Sequence, residues 1–380
     1  MFPTFELYST PLALLIVQGF IFSVLLIIRY LRARKPSDLL LALLLMLMIY
    51  HRIGYTLGFM GWYDTYTNTK INYYLFSLGL VFGPLLFLYT RTLLVSPFRL
   101  QKADLWHFVP ATVYLIYRMG LLVYDSQQPD WDQGYDGIAL REVHLSLIGP
   151  LHRLLEYSAL LLYLAFTIQL FVKHRNRIRQ FFSSTYKVEL NWIKVFLIIF
   201  SILFMYETIT DLVDALITEL SYKNKWWVHF INAIALIFLG IKGYFTDLSE
   251  LAKLPDGSGS GAGKPNRDLT KSRQRIEDYL QEGHFKKPDL TLGDLARGLG
   301  VSQHEASAML NSSFEMNFNE LINRYRVDDL KLQLKDTKKD HYSLIALAYE
   351  SGFNSKASFN RIFKKIEGVT PSEYKKNQHT

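Results

Sequence analysis

The chain has 380 residues, half of them apolar, and a formal net charge of +8 at pH 7. It contains no cysteine, which excludes disulfides, thiolate metal sites and cysteine nucleophiles. The long apolar runs lie in residues 1–246, whereas residues 268–380 have the composition of a soluble helical domain. The sequence therefore predicts an all-α protein in which a transmembrane bundle precedes a soluble domain.

Seven apolar segments in the first part are long enough to cross a bilayer core, which takes roughly 20 helical residues. They lie near 9–28, 38–60, 71–94, 105–124, 148–172, 190–213 and 226–245. The first segment has no Lys or Arg before it and no small-residue cleavage site, so we interpret it as a retained span. Residues 1–246 are thus predicted to form a seven-helix transmembrane sensor or anchor domain.

The Lys and Arg residues of the loops are distributed unevenly. The loops after spans one, three and five contain Arg29, Arg32, Arg34, Lys35, Arg91, Arg99, Lys102, Lys173, Arg175, Arg177, Arg179 and Lys187. The opposite loops contain only Lys70, Arg141, Lys223 and Lys225. Because basic loops face the cytoplasm, we expect a multi-pass protein of the inner (cytoplasmic) membrane, with its N-terminus outside and residues 246–380 inside.

Several ionisable residues fall within the predicted spans, in the halves nearer the outside. A charged side chain in hydrocarbon costs at least about 2.5 kcal/mol, so such residues are expected to face one another or a wet cavity. We interpret six of them as a candidate ligand pocket: Arg52, Arg118, Arg153, Glu156, Glu207 and Asp211. A set of interhelical ion pairs without a ligand is the alternative interpretation.

Residues 247–267 contain the run GSGSGAG, which predicts a flexible Gly/Ser-rich linker. A linker of this composition holds the following domain close to the bilayer without coupling it rigidly to the spans.

Residues 268–380 show helix patterns with clear start signals. The predicted helices lie near 269–282, 292–298, 302–313, 317–335, 343–350, 354–366 and 371–376. Capping boxes are expected at Thr291, Ser302, Asn317 and Thr370, and an N-cap at Asn354. The sequence predicts a seven-helix domain.

Two segments of this domain share one pattern: a helix, a glycine-containing turn and a second helix. They are LTLGDLARGLGVSQHEASAMLNSSF and YSLIALAYESGFNSKASFNRIFKK, joined by NELINRYRVDDLKLQL. Two such helix-turn-helix units on one connecting helix resemble the DNA-binding domain of the AraC/XylS family of bacterial transcription regulators. The resemblance covers about residues 272–376, including IALAYESGFNSKASFNRIFKKIEGVTPSEYKK. Seven spans ahead of such a domain are similar to the membrane-bound members of the family.

The resemblance implies that the second helix of each unit contacts double-stranded DNA. In the second unit the candidate DNA-binding residues are Ser355, Lys356, Ser358, Asn360, Arg361, Lys364 and Lys365. In the first unit they are Gln303, His304, Ser307 and Asn311. The second helix of the first unit has no Lys or Arg and carries Glu305. Its role is therefore open between DNA contact and structural support of the second unit.

These patterns together predict a membrane-anchored, sequence-specific DNA-binding transcription regulator that couples an external or membrane signal to gene expression. The expected partners are double-stranded DNA, the lipid bilayer and an unknown external or membrane ligand, and a homo-oligomer is left open. No catalytic motif appears, so we expect no enzyme activity, no cofactor and no metal. The alternative is a seven-span receptor or transporter whose helical tail binds a protein partner.

Overall fold

Every regular element in the described part of the chain is a helix. The computed structural model describes residues 2–66, 74, 78–95, 98, 100–129, 131, 137–181, 191–245, 269–339 and 341–378. No β-strand occurs among these residues, and the predicted all-α class is confirmed. The predicted linker, 247–267, lies outside them.

The chain divides into two compact units, the first being Met1–Phe171 with Asn191–Leu248 and the second Val172–Leu190 with Ser249–Thr380. The α-helices among the described residues of the first part of the chain are α1 (Ser9–Ala33), α2 (Pro36–Phe59), α3 (Trp62–Thr65), α4 (Phe82–Leu94), α5 (Val109–Ser126), α6 (Gly149–Phe181), α7 (Asn191–Leu216) and α8 (Tyr222–Phe245). Short 3-10 segments, Gly79–Val81 and Lys102–Phe108, precede α4 and α5, and a π-helical segment, Leu140–Ile148, leads into α6.

Five helices of the described residues are long and apolar enough to cross a membrane. They are Ser9–Ala33, Pro36–Phe59, Leu140–Arg175, Asn191–Leu216 and Tyr222–Phe245.

The third and fourth predicted spans do not reach this standard. Part of the third, 71–94, lies outside the described residues, and its described helix, Gly79–Leu94, is short. The fourth corresponds to the 18-residue helix α5, whose apolar character is reduced by Arg118 and Asp125.

Small residues allow α1, α2 and α8 to pack closely. A Cβ on Gly19 would clash with Leu236, and one on Gly243 would clash with Leu41. Close approach at glycines is the usual way in which apolar helices gain contact in a membrane. At one end of the three helices, Arg29 forms a bidentate ion pair with Asp38 at 2.6 and 2.8 Å, which ties α1 to α2.

The second part contains seven further α-helices, each with both ends within two residues of the predicted positions. They are α9 (Leu269–Gln281), α10 (Leu292–Leu299), α11 (Gln303–Phe314), α12 (Phe318–Gln333), α13 (Leu344–Glu350), α14 (Lys356–Glu367) and α15 (Pro371–Gln378).

The helix starts follow the predicted capping chemistry with two corrections. The Ser302 hydroxyl accepts from the Glu305 backbone N–H at 3.2 Å, but the Glu305 side chain does not complete the predicted capping box, so Ser302 is a simple N-cap. Thr291 and Asn317 form complete capping boxes, and Thr370 exchanges hydrogen bonds with Glu373. The N-cap of α14 is Ser355, whose hydroxyl accepts from the Ser358 backbone N–H at 3.2 Å. The predicted cap, Asn354, was wrong by one residue, because either side chain suits this position.

Helix α12 joins two separate hydrophobic cores. Its first half contributes to the core beneath α9, α10 and α11, and its second half to the core beneath α13, α14 and α15. The first-core residues are Phe318, Leu321 and Ile322, and the second-core residues are Val327, Leu330 and Leu334. The two helix-turn-helix units are therefore built on one continuous element.

Candidate nucleic-acid interface and polar cavity

Helix α14 turns a basic face to solvent because its aromatic residues are held in the core. Phe359 and Phe363 are buried, with ring centroids 5.9 Å apart, and Phe353 packs on Phe359 at 5.3 Å. The exposed predicted residues of α14 are Lys356, Asn360, Arg361, Lys364 and Lys365. Residues four apart lie on the same side of a helix, so these five side chains form one surface, which we call the basic face.

Two predicted residues do not belong to the basic face. The Ser358 side chain is buried, with 8% exposure, because it lies next to Phe359 on the part of the helix that packs against the domain. The Ser355 hydroxyl is engaged as the helix N-cap. Both serines therefore shape the start of α14.

The turn before α14 requires glycine. Gly352 has φ +96°, a conformation that residues with a Cβ adopt only at a cost. A Cβ there would lie 2.8 Å from the Lys286 carbonyl oxygen and 2.9 Å from Nε of Arg326. The turn thus packs directly on Lys286, in the segment before α10, and on Arg326 of α12.

Arg326 is the buried side chain that connects the two units, and the sequence analysis missed it. It is 1% exposed, and it donates hydrogen bonds to the carbonyls of Phe285 at 2.8 Å and Lys287 at 2.6 Å. Burial lowers the pKa of Arg326 to about 10. The sequence did contain a signal for this burial: Arg326 stands four residues after Ile322 and four before Leu330, and residues four apart lie on the same side of a helix.

A hydrogen-bond network reinforces the same junction. Asp329 accepts from the Ser351 hydroxyl at 2.9 Å and from the Gln333 amide at 2.6 Å. It also forms a salt bridge of 2.9 Å with Lys286. The turn that presents α14 is therefore fixed to α12 by polar contacts as well as by packing.

The corresponding helix of the first unit, α11, presents a surface without a basic side chain. Of its predicted DNA-binding residues, His304 and Asn311 are exposed, while Gln303 and Ser307 are half-buried. The Gln303 amide lies against Gly293, close to where a Cβ would stand. Of α11 and α14, only α14 therefore has the exposed Lys and Arg side chains that anchoring to phosphate would require.

Two cations near the basic face have acidic partners. Lys331 on α12 bonds Glu367 at 3.0 Å, and this hydrogen bond raises the pKa of Lys331. Lys365 lies 3.6 Å from Glu320, and both side chains are well exposed. An exposed pair of this kind contributes at most about 1 kcal/mol, so Lys365 remains able to reach a phosphate.

The compact unit formed by Met1–Phe171 and Asn191–Leu248 contains a cavity of about 880 Å³ that is partly open to its surface, between α2, α6, α7 and neighbouring segments. We call it the polar cavity because charged side chains line it. Five of the six residues predicted as a ligand pocket line it: Arg52, Arg153, Glu156, Glu207 and Asp211. The sixth, Arg118, is buried outside the lining, where its Nε donates to the Tyr74 carbonyl at 3.1 Å. The backbone acceptor draws this guanidinium away from the cavity.

Helices α10 and α11 are joined by a short turn, and so are α13 and α14. Both pairs pack on α12. This arrangement defines a domain with two helix-turn-helix units. Comparison with known proteins agrees with this class, since residues 295–377 match the family described as "Helix-turn-helix domain", of AraC type.

Curated relatives match about a quarter of the chain. An "Uncharacterized HTH-type transcriptional regulator" of Staphylococcus aureus (strain COL) is 34% identical over 101 residues, which are 27% of this chain and 13% of the relative. The "Uncharacterized HTH-type transcriptional regulator YtdP" of Bacillus subtilis (strain 168) is 27% identical over 97 residues, 26% of this chain and 12% of the relative. The match thus spans only about an eighth of these relatives. No solved structure gives a significant match.

Proposed function

We propose that this protein is a membrane-anchored transcription regulator that binds specific DNA sequences through α14. The observation that carries the proposal is the basic face, which places Asn360 and Arg361 beside three exposed lysines on the second helix of a helix-turn-helix unit. Arg pairs with guanine O6 and N7 and Asn with adenine, while lysines contact phosphates. The helix-turn-helix relatives named as transcriptional regulators support this assignment.

Membrane anchoring is supported by large apolar side chains on the outer surface of the first unit. Phe20 on α1, Leu162 on α6 and Ile202 on α7 are each more than half exposed. An apolar surface of this extent is typical of contact with lipid. We propose seven spans, with α4 and α5 as the third and fourth, the N-terminus outside and the helix-turn-helix domain in the cytoplasm.

The signal in this proposal enters through the polar cavity. The cavity lies within the spans, and its ionisable lining is costly to maintain unless it has a use. Binding of a ligand there changes the output at DNA only if the ligand prefers one of two states of the protein. The two states can differ, for example, in whether one copy or two copies of the chain bind together on DNA.

The test is chromatin immunoprecipitation of the full-length protein, followed by sequencing, in its native host. We expect discrete promoter sites for the wild type and their loss in the double variant Asn360→Ala, Arg361→Ala. The matched control, Lys335→Ala with Asn377→Ala, also removes one cation and one amide from exposed positions, but outside α14, and should retain the sites.

Equal site occupancy by the wild type and the α14 variant would show that another surface binds DNA. A reporter fused after residue 380 tests the topology separately, since an extracytoplasmic reporter would separate this domain from DNA.

A further inference from the structure

Among the described residues, three charged groups of the polar cavity lack a partner of opposite charge from Lys, Arg, Asp or Glu: Arg153, Asp211 and Glu156. The nearest basic group to Glu156 is the imidazole of His152, whose Nε2 lies 3.6 Å from Oε1 of Glu156. Two ion pairs in the lining are complete, Lys225 with Asp214 at 2.6 Å and Arg52 with Glu207 at 3.4 Å. Arg153 forms no salt bridge with any residue in the described part of the chain. Asp211 likewise forms none there, and its hydrogen-bond donor is the neutral hydroxyl of Tyr157.

Polar atoms beside these groups also lack partners. Nε of Arg52 is buried and has no hydrogen-bond partner among the described residues. Nε2 of His152 is also buried without a hydrogen bond there, and the acid beside it is Glu156, at 3.6 Å. Arg52 and His152 both line the cavity, and they are only 6% and 9% exposed. Buried polar groups of native proteins are normally hydrogen-bonded, so unsatisfied ones at a cavity indicate a missing partner.

The lining also contains apolar and aromatic side chains. Phe82, Leu203 and Phe204 line the cavity together with the charged groups. The π-helical segment Leu140–Ile148 contributes His144 and Leu145, and π-helical turns occur frequently at functional sites. A volume of about 880 Å³ accommodates a small molecule with a bulky apolar group.

We propose that the cavity binds a zwitterion that carries a bulky apolar group, namely a free amino acid or a short peptide. The carboxylate of the ligand pairs with Arg153, its ammonium group pairs with Asp211, and its apolar group lies among Phe82, Leu203 and Phe204. This assignment rests on the proposed function, in which the cavity receives the signal.

Charge matching favours a zwitterion over ligands with one charge. An anion would satisfy Arg153 but leave Asp211 unmatched and close to a like charge. A cation would satisfy Asp211 and leave Arg153 in the same position. A charge that the ligand shields from water without pairing it opposes binding, so a ligand with both groups gains from both.

The binding test uses the full-length protein in lipid nanodiscs, titrated calorimetrically with phenylalanine and with leucylphenylalanine. The N-acetyl and C-terminal amide forms of leucylphenylalanine remove one charge each. We expect saturable binding of at least one zwitterion and a loss of affinity of about tenfold or more when either end is blocked, since each block removes a charge-assisted hydrogen bond. Comparison of the two zwitterions distinguishes an amino acid from a peptide.

Variants of Arg153 and Asp211 assign the groups. Arg153→Gln should abolish the effect of amidation, and Asp211→Asn should abolish the effect of N-acetylation, while each lowers the affinity of the zwitterion. Glu219→Gln is the control, because it removes an exposed carboxylate of the same unit that does not line the cavity. The modified ligands decide the question even if a variant fails to fold.

Absence of binding by both zwitterions, or equal binding of a blocked form and its parent, would overturn the proposed ligand class. These titrations contain no DNA, so their outcome is independent of the transcription proposal. A protein that binds the zwitterion but occupies no promoter would retain this site and refute the proposed function.

Discussion

Replacement of Gly352 by alanine tests the junction between the two helix-turn-helix units. The left-handed conformation at φ +96° costs an alanine about 1–2 kcal/mol. The new methyl group would also approach the Lys286 carbonyl oxygen to 2.8 Å, and relief of such overpacking costs about 1–3 kcal/mol. The free energy of unfolding should therefore fall by about 2–5 kcal/mol, a large part of the 5–15 kcal/mol typical of a domain.

Gly368→Ala is the matched control for this experiment. Gly368 also has a positive φ, +78°, but no atom lies within 4 Å of its expected Cβ. It should lose only the conformational part, about 1–2 kcal/mol. Urea unfolding of a 266–380 fragment, followed by circular dichroism, measures both losses. Equal losses in the two variants would refute the packing of this turn against Lys286 and Arg326.

Three further predictions concern α14 and α15. Asn360→Ala should cost about 1–3 kcal/mol in specific DNA affinity, whereas Ser358→Ala should change it by less than about 0.5 kcal/mol, because Ser358 is buried. Fluorescence anisotropy on a site found by immunoprecipitation measures both affinities. A loss above about 0.5 kcal/mol in Ser358→Ala would contradict the buried position of this side chain. If the three lysines of the basic face all contact phosphates, the plot of log affinity against log salt should have a slope of about −2.7, and Lys364→Ala should reduce its magnitude by about 0.9. An unchanged slope would exclude a phosphate contact by Lys364. Hydrogen bonds from Thr370 lower the pKa of Glu373, so the stability that this carboxylate adds is complete above its ordinary pKa and is lost as pH falls through the lowered value. The difference in urea midpoint between wild type and Glu373→Gln should therefore shrink between about pH 6 and about pH 3.5. A difference that stays constant over this range would refute the assignment.

Local sequence signals were sufficient for the helices of the C-terminal domain. Thr291 and Asn317 each stand three residues before the acid that completes a capping box, and this chemistry depends only on neighbours in the chain. The choice between Asn354 and Ser355 was not determined in this way, because both side chains cap well.

Long-range contacts could not be predicted from these signals. The burial of Ser358 depends on which side of α14 meets the second core, and the pairing of Lys331 with Glu367 joins residues far apart in sequence. In the first unit, the cost of charge in apolar segments led to a candidate pocket, and the structure gathers five of its six members in one cavity. Arg118 differs because a backbone carbonyl, which no composition rule reveals, accepts its hydrogen bond.

The shared helix α12 restricts how the domain can change in length over evolution. Each residue advances an α-helix by about 100°, so one insertion between Ile322 and Val327 would rotate the apolar rows of the two cores out of alignment. The same insertion in the connection at 315–317 would leave both rows intact. Length variation among descendants of this domain should accordingly accumulate in its connections and be excluded from the middle of α12.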